Sequence, residues 1–193
     1  MPRARAFEPD KALESAMLLF WRQGYDATSV SDLTGAMGIN KFSLYDVFGD
    51  KRSLFIRTLE TYSHEWSRPR LKLLRDPGGR EGLIRFLDLM DEDRRKGNLR
   101  DGCLILNSLV EFVGRDDDVA VAVRSHMKFV EDSFKTAVAG MIEEGALPDD
   151  TDISARAHHL MTLVQGIIAL SKSKATSRIA ASALRDIRTS VAG

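Results

Sequence analysis

Between Gly24 and Phe55 the chain concentrates side chains suited to hydrogen bonding with an anionic polymer. Asn40, Lys41, Phe42 and Ser43 are consecutive, with Tyr45 and Asp46 close behind. If that stretch opens a helix, Lys41 can donate to guanine O6 and N7 and Phe42 can lie against a thymine methyl. Asp46 can accept from cytosine N4 or point to solvent. The first residues of a recognition helix reach base edges, which makes Lys41, Phe42 and Ser43 the candidates for reading sequence. Thr28, Ser29, Tyr45 and Lys51 suit a different chemistry, the clamping of phosphates. Thr28 and Ser29 stand where one helix would begin and Lys51 where another would. Free backbone N–H groups and the helix dipole favour an anion at both places. Such contacts fix register without reading sequence. The same residues have a plainer reading, in which Thr28 and Asn40 only cap helices and Tyr45 only packs.

Helices must hold these groups. Leu13, Ala16, Met17, Phe20 and Trp21 recur at the spacing of one helical face, ended by Gly24. Val30, Leu33 and Met37 mark a second helix capped by Thr28 or Ser29, and Gly38 supplies a turn. Asn40 caps a third with Leu44, Tyr45 and Phe48 inward. Gly49 and Asp50 lead into a fourth bearing Leu54, Phe55, Leu59, Tyr62 and Trp66. Two helices joined by about three residues with a glycine have helix-turn-helix spacing. Pro69 and Asp76-Pro77-Gly78-Gly79 predict a break. Further helices are expected over 81–95, from an Asp101 cap to Gly114 with Cys103 in the first turn, from an Asp116–Asp118 cap to Glu144, over 153–172 and over 177–191. The expectation is an all-α chain of about nine helices. Residues 1–52 would form a helix-turn-helix DNA-binding domain and 53–193 a larger helical domain for ligand binding and dimerisation.

The string Gly24-Tyr25-x-Ala27-Thr28-Ser29-Val30, followed by Gly38-Ile39-x-Lys41-x-Ser43-Leu44-Tyr45-x-x-Phe48-x-x-Lys51-x-x-Leu54-Phe55, resembles the N-terminal domain of the TetR family. The likeness runs without a gap from about Leu13 to Phe55. It implies that the third helix reads the major groove and that Tyr45 and Lys51 bind phosphates. It also implies an all-helical homodimer with a ligand-binding C-terminal domain. Phe42 stands where the family usually has glycine, alanine or proline, and Asp46 sets a carboxylate near DNA. Both departures bear on operator sequence.

In the larger domain Tyr62, His64, Trp66, Met90, Phe112, His126, Met127 and Phe129 would suit the wall of a pocket for a small apolar or aromatic effector. They are equally what a plain helical core contains. Cys103 would sit where helix N–H groups stabilise a thiolate, and Gly102-Cys103-Leu104-x-x-Asn107 resembles TetR-family members that sense reactive electrophiles with this cysteine. Against sensing stand the tendency of free cysteine to be buried and the adjacent Asp101, which would raise its pKa. Leu160, Leu163, Gly166, Ile167 and Leu170, with Ala183, Leu184 and Ile187, form stripes suited to pairing with a second copy, Gly166 allowing close approach. An intramolecular core explains part of each stripe.

Charge gives no shortcut, because 28 Lys and Arg balance 28 Asp and Glu. Within residues 1–52, Arg3, Arg5, Lys11, Arg22, Lys41, Lys51 and Arg52 face Glu8, Asp10, Glu14, Asp26, Asp32, Asp46 and Asp50. DNA binding must therefore rest on where charges sit. A nucleotide-binding glycine loop and a nucleophile with a local base are both missing from the sequence, which argues against an enzyme. His158 and His159 are adjacent and diverge on a helix, so no metal and no cofactor are expected. One cysteine, no secretory signal and no span of about 20 apolar residues point to a cytoplasmic protein without a membrane partner. The function expected is a ligand-responsive transcriptional regulator. It would be a repressor that binds a palindromic double-stranded operator as a homodimer and is released by a small molecule or an electrophile. The alternative is a dimeric interaction protein of the same fold that has no DNA binding.

Overall fold

The computed structural model describes residues 7–112, 114 and 117–192. Its helices are α1 (Pro9–Gln23), α2 (Val30–Met37), α3 (Lys41–Phe48), α4 (Lys51–Thr61), α5 (Arg68–Leu71), α6 (Gly79–Lys96), α7 (Leu104–Glu111), α8 (Asp117–Glu143), α9 (Ile153–Ser171) and α10 (Ser177–Ala192). A π-helical turn (Tyr62–Ser67) precedes α5 and a 3-10 turn (Lys72–Leu74) follows it. With the run from Lys51 to Leu74 taken as one, the described residues form nine helical segments and no strand.

Two compact units result, one reaching to Glu65 and including Leu104–Val123, the other made of Trp66–Cys103 and the chain from Arg124 on. This differs from a division at residue 52. α4 packs along α1, and α7 also touches α1, so both belong with the head. Leu33, Leu44, Leu54, Phe20 and Phe55 fill the head's core. Phe20 and Phe55 meet edge to face at 4.9 Å, and Tyr25 and Phe112 join them. Gly38 takes the left-handed conformation (φ 65°, ψ 29°) that turns the chain from α2 to α3, a geometry that penalises a Cβ.

In the second unit Leu83, Leu87, Phe134, Val138, Leu160, Val164, Ile167, Leu184 and Ile187 form the core of α6, α8, α9 and α10. At roughly 1.5–3 kcal/mol for each large side chain removed from water, this burial dominates the unit's stability. Gly82 lets α6 press against the preceding 3-10 turn, where a side chain would collide with the Leu73 carbonyl.

Three expectations change. The chain does not break at Pro69. The π-helical turn shifts the hydrogen-bond register ahead of it, and Pro69 falls in the first turn of α5, where its missing N–H costs little. α7 starts at Leu104, so Asp101 does not stand at its cap and Cys103 precedes its first turn. Leu160, Ile167, Leu184 and Ile187 are buried within the chain itself and are not outward dimer residues. Leu163, Gly166, Leu170 and Ala183 stay partly exposed. Arg3, Arg5 and the Asp116 part of the α8 cap lie outside the described residues, while Asp117 and Asp118 lie in the first turn of α8.

Candidate nucleic-acid interface

α2, α3 and α4 each start on a side-chain cap. Ser29 Oγ accepts from the Asp32 N–H at 3.1 Å, and Asp32 Oδ2 accepts from the Ser29 N–H at 2.9 Å, a reciprocal capping box. Hydrogen bonds from the Ser29 hydroxyl and N–H hold the Asp32 carboxyl below its ordinary value. Asn40 Oδ1 accepts from the Ser43 N–H at 2.8 Å, and Asp50 Oδ1 from the Ser53 N–H at 2.7 Å. The Ser53 bonds likewise lower the Asp50 pKa.

These caps fix what α3 presents. Leu44 and Phe48 are buried, while Lys41 and Asp46 are exposed and Ser43 is half-buried; Tyr45, expected inward, is exposed as well. Phe42 is 79% exposed, the most exposed large apolar side chain among the described residues. Lys41 Nζ lies 5.9 Å from the Tyr45 ring centroid, so cation and phenol share one side of the helix. Burial of Leu44 and Phe48 against the head leaves the opposite face of α3 to solvent.

Lys51, at the first position of α4, sets its ammonium 4.2 Å from the Tyr25 ring centroid. Thr28 does not serve as expected. It is 1% exposed and its hydroxyl donates to the Gly24 carbonyl at 2.6 Å, closing the loop before α2; Ser29 is the cap. Two residues escaped the sequence reading. Glu111, at the end of α7, accepts from the Tyr25 N–H at 3.1 Å and the Asp26 N–H at 2.7 Å and so ties down the same loop. Arg57 Nη1 donates to the Val47 carbonyl at 3.0 Å and lies over the Phe48 ring, holding the end of α3. Glu111 had no local signal, because its partners are 85 and 86 residues away.

The effector candidates fall in both units. Tyr62 packs on Trp21 at 4.9 Å, and Phe112 on Tyr25 at 5.0 Å, in the first. Trp66, Met90, Cys103, His126 and Phe129 belong to the second. Cys103 is 8% exposed. Burial and the nearby Arg68 cation push the His126 pKa down to about 4, so its imidazole is neutral near pH 7. No three His, Cys, Asp or Glu side chains cluster as metal ligands among the described residues, and no described helix is long and apolar enough to cross a membrane.

Residues 12–58 match the family described as bacterial regulatory proteins, tetR family, and residues 79–187 match a tetracyclin repressor-like C-terminal domain. The chain is 32% identical to YezE, an HTH-type transcriptional regulator of Bacillus subtilis, over 83% of this chain and 84% of that protein. It is 36% identical to the Escherichia coli HTH-type transcriptional repressor BdcR, over 62% of this chain and 61% of the repressor. A solved structure of CifR, a TetR family transcriptional regulator in a cysteine-mutant form complexed with 26-bp double-strand operator DNA, is similar with a TM-score of 0.75. It is 30% identical, over 95% of this chain and 98% of that one.

Proposed function

Because this chain belongs to the TetR family of transcriptional regulators, which are not enzymes, we propose that it represses transcription as an effector-released homodimer on a palindromic operator. The observation that carries this reading is the first turn of α3, capped by Asn40 and turned to solvent with Lys41 and Phe42 at its tip. Lys41, Phe42 and Ser43 contact base edges, and Asp46 faces either a cytosine amine or water. Ser29, Tyr45 and Lys51 hold phosphates, while Thr28 and Glu111 shape the loop that aims α2. Two heads would meet half-sites about 34–36 Å apart, or a multiple of that. The protein acts in the cytoplasm, where its operator lies.

The second copy docks on the outward sides of α9 and α10, through Leu163, Gly166, Leu170 and Ala183. Gly166 supports this, since a Cβ there meets nothing within 4 Å in the single chain. The effector favours an arrangement of the two heads that no longer matches the half-sites, which requires unequal affinity for the two arrangements. Burial of Cys103 favours a non-covalent small molecule over a reactive electrophile.

A native-gel assay on palindromes from the gene's own upstream region tests the reading. Wild-type protein is expected to retard one such duplex as a dimer. Gly166→Leu is expected to keep its helicity, elute as a monomer and bind about a hundredfold more weakly. A Gly166→Leu protein that stays dimeric contradicts the docking face, and a wild type that retards no upstream palindrome contradicts repression at its own promoter region.

A further inference from the structure

We propose that the second compact unit carries an anion-recognition site, built on Arg68, Arg75, His126 and Phe129, for the carboxylate of a small amphipathic organic acid. The proposal rests on the effector reading above and names the chemical class of that effector.

Arg68 opens α5 with its guanidinium carbon 4.6 Å from the Phe129 ring centroid, and its Nε is buried without a hydrogen-bond partner. Arg75, just past the 3-10 turn, lies 5.6 Å from the same ring. Neither arginine forms an ion pair among the described residues. Arg70, between them, shows the contrast: its Nε donates to Asp93 at 3.0 Å and its Nη1 to the Trp66 carbonyl at 2.7 Å. The chain thus pairs Arg70 with a carboxylate and leaves Arg68 and Arg75 to converge on one aromatic ring.

His126 adds no negative charge. It is 3% exposed, and its Nε2 lies 3.4 Å from the Ser67 hydroxyl. Its pKa is pushed down by burial and by Arg68, so near pH 7 it is a neutral neighbour able to donate or accept. A guanidinium partly withdrawn from water without a counter-charge is unfavourable, and an incoming carboxylate supplies that charge with bidentate geometry. The surroundings favour an organic acid over inorganic phosphate. Phe129 is only half-buried where it packs on the core, so the rest of its ring, beside both guanidiniums, offers apolar surface for an alkyl or aryl body.

Thermal unfolding of the full chain without DNA tests this, with phenylacetate and octanoate as probes, phenylacetamide and octanamide as uncharged counterparts, and inorganic phosphate as a third arm. Both carboxylates are expected to raise the unfolding midpoint, and the amides and phosphate to leave it unchanged. Arg68→Met is expected to weaken carboxylate binding about tenfold to a hundredfold, and the unliganded variant to unfold no earlier than wild type. Arg75→Met, at an exposed position, keeps the test valid if Arg68→Met fails to fold, and is also expected to weaken binding. Absence of any carboxylate effect, equal stabilisation by amides or phosphate, or undiminished binding by the foldable variants overturns the site. Carboxylate binding that leaves operator complexes intact contradicts the effector reading alone.

Discussion

The charge state of His126 depends on where the fold puts it. Its pKa falls from 6.5 to about 4 because burial and Arg68 penalise the imidazolium. As pH falls, the unfolded chain takes up the proton first. The stability that neutral His126 contributes is therefore complete above about pH 6.5 and is lost on acidification toward pH 4. Urea midpoints between pH 7.5 and 4.5 are expected to fall more steeply for wild type than for His126→Phe, and parallel profiles would contradict the assignment. At this scale the caps were legible: Ser29 and Asn40 sit three residues before the N–H groups they accept from, a pattern written in adjacent residues. Thr28 was not, because a hydroxyl that turns back to the Gly24 carbonyl looks in sequence like one that faces a phosphate.

α7 shows what an element does that its own sequence conceals. Its stripe of Leu104, Ile105 and Ser108 is buried, and its last residue, Glu111, accepts two N–H groups of the loop that sets α2. Charge-assisted bonds of this kind each contribute about 1.5–3 kcal/mol. Glu111→Ala is expected to speed amide exchange at Tyr25 and Asp26 and to weaken operator binding about tenfold, although Glu111 is assigned no DNA contact. Unchanged exchange at those amides would contradict the clamp. α1, α2 and α3 were legible because periodicity and caps agreed. The run through Pro69 was not, because a π-helical turn depends on packing and not on a local residue signal. The outward stripes of α9 and α10 were half legible, since apolar spacing marks burial without saying whether the chain or a second copy does the burying.

For the whole molecule, the balance of 28 positive against 28 negative side chains removes any general attraction to DNA. On the proposed reading binding comes from a few placed groups: Lys41 and Phe42 at the tip of α3, Tyr45 beside Lys41, and Lys51 over Tyr25. The family was readable from the residues between Leu13 and Phe55. The two compact units were not, because α4 and α7 join the head through contacts remote in sequence. The most direct test of α3 as the reading element is the ratio of operator to scrambled-duplex affinity for wild type and Lys41→Ala, measured across a salt series. Loss of a base-edge contact predicts a fall in that ratio equivalent to about 1–3 kcal/mol per site. An equal loss on both duplexes, with the salt slope reduced by about one unit per site, would instead assign Lys41 to phosphate. Unchanged affinity for both would contradict α3 as the element that reads DNA.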